Sequence, residues 1–181
     1  MELSTAQIIE LLDDLSPADD APERLNLNKA HILKTLLETD IELQGMMPWS
    51  SNYTFLISLA GSDKTEIVMA KESGSGVPGQ GEVITIEGPL AIYKPCRGER
   101  PLWDFPDGKL CYREFAAYLI SETLGWPLIP PTVLRRDAPH GPGTIQFYIQ
   151  NDYDAHYFNL RENRAFDDTF RQIAVFDFII N

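Results

Sequence analysis

Apolar residues recur at helical spacing near the start of the chain, at Ile8, Ile9, Leu11, Leu12 and Leu15. Ser4 and Gln7 stand just before them in a capping-box arrangement, so a helix is predicted there. "SPADDAPERLN" breaks it with two prolines and several acids. Asn28 then caps a second predicted helix reaching about Glu38, with Ile32, Leu33, Leu36 and Leu37 facing inward. From Ile41 the period shortens to that of strands. "IELQGMM", "TFLISLA", "EIVMA", "VITIEG" and "LAIYKP" are short, β-rich and separated by turn residues, which predicts an antiparallel meander. Helical spacing returns in "LCYREFAAYLISETLGW", through Phe115, Ala116, Leu119, Ile120 and Leu124, with Gly125 as the C-terminal cap. "LIPPTVLRR" and "GTIQFYIQ" predict two more strands around the loop "DAPHGPG". A polar segment, "NDYDAHYFNLRENRA", leads to a last helix, "DDTFRQIAVFDFII". Strands grouped around one crossing helix indicate an α+β fold rather than an alternating parallel one.

Composition narrows the function classes. A chain of 181 residues with 44% hydrophobic content suffices for one domain with a substantial core. Its formal net charge of −12 repels phosphate backbones, which disfavours nucleic acid as a partner, and it disfavours adhesion to anionic membranes. No apolar run approaches the ~18–20 residues of a membrane helix, so no integral membrane association is expected. Residues 1–14 carry acids and no basic leader, unlike a signal peptide. Two cysteines, Cys96 and Cys111, are too few for a zinc site or a disulfide scaffold; reduced thiols and a cytoplasmic location are expected. Against the acidic background, Lys94, Arg97, Arg100, Lys109 and Arg113 cluster, which points to a ligand bearing phosphate.

Several stretches carry candidate chemistry. Gly74, Gly76 and Gly79 match the dinucleotide fingerprint by letter, but the strand "EVITIEG" follows where a helix is needed, so that reading fails. A kinase-type glycine loop between strands remains, beside the plainer reading of a mobile hairpin tip. "PWSSNYTF" offers hydroxyls, an amide and close backbone N–H groups that suit an anion, or only a polar turn. Lys94 ends a strand, and Glu114 lies in the first turns of the next helix. That placement suits a lysine holding a nucleotide's phosphates while a carboxylate keeps it extended. The plainer reading is a partly solvated lysine and a glutamate favoured by the helix dipole. "GTIQFYIQND" reads as a core strand or as one entering a hinge, lined by Gln146, Tyr148 and Ile149.

Taken in order, "SSNYTFLISL", "AIYKPCRGERPLWDFPDG", "REFAAYLISETLGWPLIPPTVL", "GPGTIQFYI" and "FRQIAVFDFIIN" resemble the bacterial phosphatidylinositol 3-/4-kinase-related family, relatives of type II phosphatidylinositol 4-kinases. The resemblance covers residues 41–181. It implies a protein-kinase-like N-lobe, an antiparallel sheet with one crossing helix, followed by a hinge and the first C-lobe helix. Residues 1–40 fall outside it as a helical appendage. It implies ATP and Mg²⁺ as cofactors. Ser51, Asn52 and Tyr53 match the phosphate loop, Lys94 the ATP-phosphate lysine, Glu114 the helix glutamate, and Gln146, Tyr148 and Ile149 the adenine hinge. Arg97 and Arg100 add phosphate contacts or pair with local acids. The phosphate acceptor, whether lipid, protein or small alcohol, stays open. In the family an Asn-x-Asp-Arg segment and a metal-binding aspartate follow the helix that ends here in "FDFIIN". The lobe is therefore expected to be incomplete and inactive alone, with the metal ligands elsewhere and Asp177 a structural carboxylate. The alternative is a pseudokinase-like module that binds a partner without catalysis.

Overall fold

The computed structural model describes residues 23–47, 50, 52–61, 64–69, 82–103, 106, 109–150 and 155–180. The helix predicted over 4–15, the glycine-rich stretch 74–79 and Ser51 lie outside the described residues. The elements in order are α1 (Glu23–Glu38), β1 (Ile41–Met46), β2 (Phe55–Leu59), β3 (Lys64–Met69), β4 (Glu82–Glu87), β5 (Leu90–Pro95), α2 (Leu110–Thr123), β6 (Thr132–Arg135), β7 (Gly143–Phe147), α3 (Tyr157–Leu160), a 3₁₀ turn (Arg164–Phe166) and α4 (Asp167–Ile180). The class is α+β, built on a five-stranded antiparallel sheet.

The expected meander is interrupted. The sheet runs β1-β2-β5-β7-β6, while β3 and β4 pair only with each other as a separate hairpin. Composition explains the choice. β2 ("FLISL") and β5 ("LAIYKP") are apolar at nearly every position and are mostly buried, as central strands require. β3 ("KTEIVM") and β4 ("EVITIE") carry charges that a central position would have to bury. The chain returns to the sheet at Pro89, whose carbonyl accepts the Leu59 N–H at 2.9 Å.

Residues 91 and 93 of β5 face one side of the sheet, where Ala91 and Tyr93 join Ile57, Leu59, Val133 and Ile145 in the main core. Helix α1 closes this core with Leu33 and Leu36, and Ile32 and Leu37 pack at its margin. It begins five residues before the predicted cap at Asn28, yet buries the predicted face. Arg135, itself buried, ties the helix down: its guanidinium donates to the carbonyls of Leu36 (3.3 Å) and Thr39 (2.6 Å) at the α1 C-terminus. The described apolar side chains of α1, residues 32–37, thus share one core with the sheet.

Helix α2 ends as expected. Gly125 has φ 64°, its N–H donates to Glu122 O (2.9 Å), and the Trp126 N–H donates to Ser121 O (3.0 Å), a Schellman closure. Its buried face matches the predicted one in part: Phe115 and Leu119 pack at the margin of the core. Cys111, Tyr118, Ser121 and Glu122 are buried, whereas Ala116 and Leu124 are exposed. Two polar side chains earn their burial through partners. Ser121 Oγ donates to Trp126 O and accepts from the N–H groups of Leu128 (3.1 Å) and Ile129 (3.3 Å), and Glu122 forms an ion pair with Lys29 of α1. Helix α4 buries Phe176 and exposes Asp177, so that carboxylate does not support the core as expected. Among the described residues, no helix is long and apolar enough to cross a membrane.

Candidate functional site

Strand alternation places Lys94 on the face opposite Tyr93, in line with Ile92. Ile92 packs there against a second apolar cluster of Leu56, Ile86 and Leu90, which Met47 and Tyr148 also border. Lys94 therefore shares its face of β5 with this cluster, roughly 13 Å of strand separating residues 90 and 94.

Near the end of β5, Lys94 Nζ lies 3.0 Å from Glu114 Oε1. The other oxygen of Glu114 accepts the hydroxyl of Thr144 at 3.1 Å, and Thr144 is the cross-strand partner of Lys94 on β7. One carboxylate on α2 thus spans two strands. The side chains of Lys94 and Glu114 are 34% and 39% exposed, so their attraction contributes at most about 1 kcal/mol to stability. The contact fixes the direction of the ammonium more than it stabilises the fold.

The connection from β5 to α2 is tied in three further ways. Cys96 and Cys111 form a disulfide, with Cα atoms 5.4 Å apart. This overturns the expectation of reduced thiols: the strand end and the helix start meet in space, which spacing along the chain does not reveal. Closing a loop of this length removes about 3 kcal/mol of unfolded-chain entropy. Glu99 supplies the second tie. Its two oxygens accept the N–H groups of Leu110 (3.0 Å) and Cys111 (2.6 Å), capping a helix whose own N-cap residue, Lys109, has no side-chain cap. Cys96, Glu99 and Cys111 lie close enough together to suggest a metal centre. However, the sulfurs are bonded to each other and both carboxylate oxygens are engaged, so they do not form one. The third tie is Asn52, whose Oδ1 accepts the Arg100 N–H at 2.8 Å.

The turn before β2 leans on the same loop. Gly98 has φ 106°, and a Cβ there would sit 2.4 Å from the Tyr53 ring, so only glycine lets the loop lie under that tyrosine. Within the turn, Ser50 and Thr54 share a hydroxyl hydrogen bond of 2.7 Å, and the Met47 N–H donates to Thr54 O at 2.8 Å. Asn52, Tyr53, Lys94, Pro95, Glu99, Leu110, Cys111 and Glu114 line a niche of about 10 Å³, room for roughly one water.

Of the residues expected to act together, Asn52, Tyr53, Lys94 and Glu114 meet in this niche. Ser51 lies outside the described residues, and the remaining three, Gln146, Tyr148 and Ile149, lie along β7 and beyond. Gln146 pairs across to Ile92 and donates to Thr132 Oγ1 at 2.9 Å. The Tyr148 N–H is already engaged by Leu90 O at 3.0 Å, and Ile149 is 56% exposed. Arg97 and Arg100 are exposed beside the niche, while Arg113 donates to Ile180 O (2.9 Å) on α4. The residue patterns singled out neither Glu99 nor Thr144. Glu99 stands eleven residues before the helix start it caps, and Thr144 is indistinguishable from any strand threonine.

No family model matches this chain, and no solved structure resembles it significantly. It is similar to Protein Rv2133c of Mycobacterium tuberculosis, 56% identical over 64 residues. That stretch is 35% of this chain and 23% of the relative's length.

Proposed function

We propose that this chain is the ATP-binding portion of a phosphotransferase of the phosphatidylinositol 3-/4-kinase-related type. The observation that carries the reading is the 3.0 Å contact between Lys94 of a central strand and Glu114 of the crossing helix. A lysine is a compact, strongly hydrated cation on a flexible stem, and a phosphate-binding role requires that stem to be held extended. Glu114 does so without burying the ammonium, which an anion reaches from its exposed side. ATP phosphates take that position, with the 50–53 turn and Arg97 and Arg100 beside them. The adenine lies toward Ile92, Leu56 and Tyr148, and the strand through Gln146 to Ile149 forms the hinge edge. Because the ladder already uses the Tyr148 N–H, hydrogen bonds to the base come from backbone beyond it. Glu99 and Glu114 are both committed to protein donors, so neither is free to hold the Mg²⁺ that would accompany the nucleotide. The phosphate acceptor is a lipid, a protein or a small alcohol.

A non-catalytic, pseudokinase-like module is the second reading, and the narrowness of the niche favours it. Thermal melting with and without MgATP tests the nucleotide reading. Nucleotide at a hundredfold excess over its Kd adds about 2.7 kcal/mol of stability. Wild type is expected to shift and Lys94→Ala to lose the shift. Wild type without a shift, or both proteins shifting equally, would sink the proposal. Phosphate release from bound ATP then separates a transferase from a module that only binds.

A further inference from the structure

We propose that Cys96 and Cys111 are a redox modification site, a dithiol–disulfide couple that controls how firmly Lys94 and Glu114 are held together. The consequence for ligand binding rests on reading that pair as the nucleotide-phosphate site. Cys96 follows Lys94 by two residues, and Cys111 precedes Glu114 by three, in the first turn of α2. The covalent bridge therefore spans the same strand–helix gap as the ion pair. With both side chains more than a third exposed, the ion pair alone contributes too little to fix that gap.

The two sulfurs are not equally accessible. Cys111 is 3% exposed, whereas Cys96 is half-buried, so an incoming thiolate meets Cys96 first. The co-reactant is a small thiol such as glutathione, or a protein dithiol. Its thiolate attacks Cys96 Sγ, the S–S bond breaks, and Cys111 departs as a thiolate that takes up a proton. A second co-reactant thiolate attacks the mixed disulfide at the co-reactant's sulfur. Cys96 is released as a thiolate and protonated, and the two co-reactant sulfurs leave as a disulfide. Two electrons pass to the protein.

Opening the bridge leaves the helix docked. Tyr118 stays in the core, Ser121 holds the following loop, Glu122 pairs with Lys29, and Glu99 still caps Leu110 and Cys111. What is lost is the covalent tie between the first turn of α2 and the end of β5. The response is local loosening at Glu114 rather than unfolding.

The test uses the full chain equilibrated in glutathione buffers of defined reduced-to-oxidised ratio, with thiols counted by maleimide labelling. Wild type is compared with the C96S/C111S double variant by amide hydrogen exchange and by MgATP binding. Opening is expected to speed exchange at residues 110–114 by about tenfold or more while β2 amides stay unchanged. The double variant should reproduce the reduced pattern, and MgATP affinity should fall about tenfold. Unchanged exchange at 110–114, or acceleration spread evenly over the sheet, overturns the proposal. Equal MgATP affinity in both redox states overturns the control of the phosphate site. If MgATP binds in neither state while the local exchange response persists, the nucleotide reading fails and the redox couple stands.

Discussion

Lys94 and Thr144, neighbours across β5 and β7, hold opposite oxygens of the single carboxylate of Glu114. Helix α2 is thereby set against the sheet at its first turns, where its own sequence offers no cap. Thr144→Val removes one tie and keeps the side chain's shape. The expected cost is about 1 kcal/mol, from the buried hydroxyl's lost hydrogen bond, read from chemical denaturation. MgATP affinity should fall in the same direction as in Glu114→Gln, and by less.

Glu99→Ala leaves two N–H groups of a helix terminus without their carboxylate. Losses of this kind cost about 1–2 kcal/mol. For a chain of this size that lowers the melting midpoint by roughly 2–8 °C. Circular dichroism melts measure it, and added salt should narrow the difference between the proteins.

Arg135 and Asp137 form an ion pair of unequal members, one 6% and the other 75% exposed. The hydrogen bond from Arg135 holds the Asp137 carboxyl below the usual carboxylate range. A depressed folded-state pKa means the stabilisation is fully present above the unfolded value and is lost as pH falls through the folded one. Asp137→Asn should therefore flatten the acid side of the stability profile slightly and change neutral-pH stability by about 0.5 kcal/mol or less. Arg135→Met, which deprives the Leu36 and Thr39 carbonyls of their donor, should cost about 2–3 kcal/mol. Urea titration across pH distinguishes the two.

Tyr118 is fully buried, and its hydroxyl has no hydrogen-bond partner among the described residues. Burial also pushes its ionisation well above the usual phenol range. Tyr118→Phe removes a desolvated polar atom without changing shape, so stability should stay the same or rise by about 1 kcal/mol. A loss exceeding that in denaturant melts would mean the hydroxyl has a partner.

Local signals were legible where they depend on neighbours in the chain. The last helix, the Gly125 cap, the inward face of α1 and the short strands follow from period and punctuation. The placement of Lys94 and Glu114 at a strand end and a helix start was legible too, and the structure brings them into contact. Contacts set by the fold were not. That β2 pairs with β5 depends on which strands tolerate burial on both faces, a comparison among four segments. The Cys96–Cys111 bond and the Glu99 cap join points fifteen and eleven residues apart across a loop of irregular course. The buried face of α2 was legible only in part, at Phe115 and Leu119, because Ser121 and Glu122 are buried through partners that hydrophobicity does not register.

The β3–β4 excursion leaves and rejoins the sheet at adjacent points, Leu59 and Pro89, without contributing a rung to it. The paired strands β3 and β4 are thus a place where the sequence can change with little effect on the five-stranded framework. The margin of that freedom is Ile86, which seals Leu56 and Leu90. A variant that keeps this isoleucine retains its seal, and one that loses it exposes an oily seam on the very face that Lys94 shares.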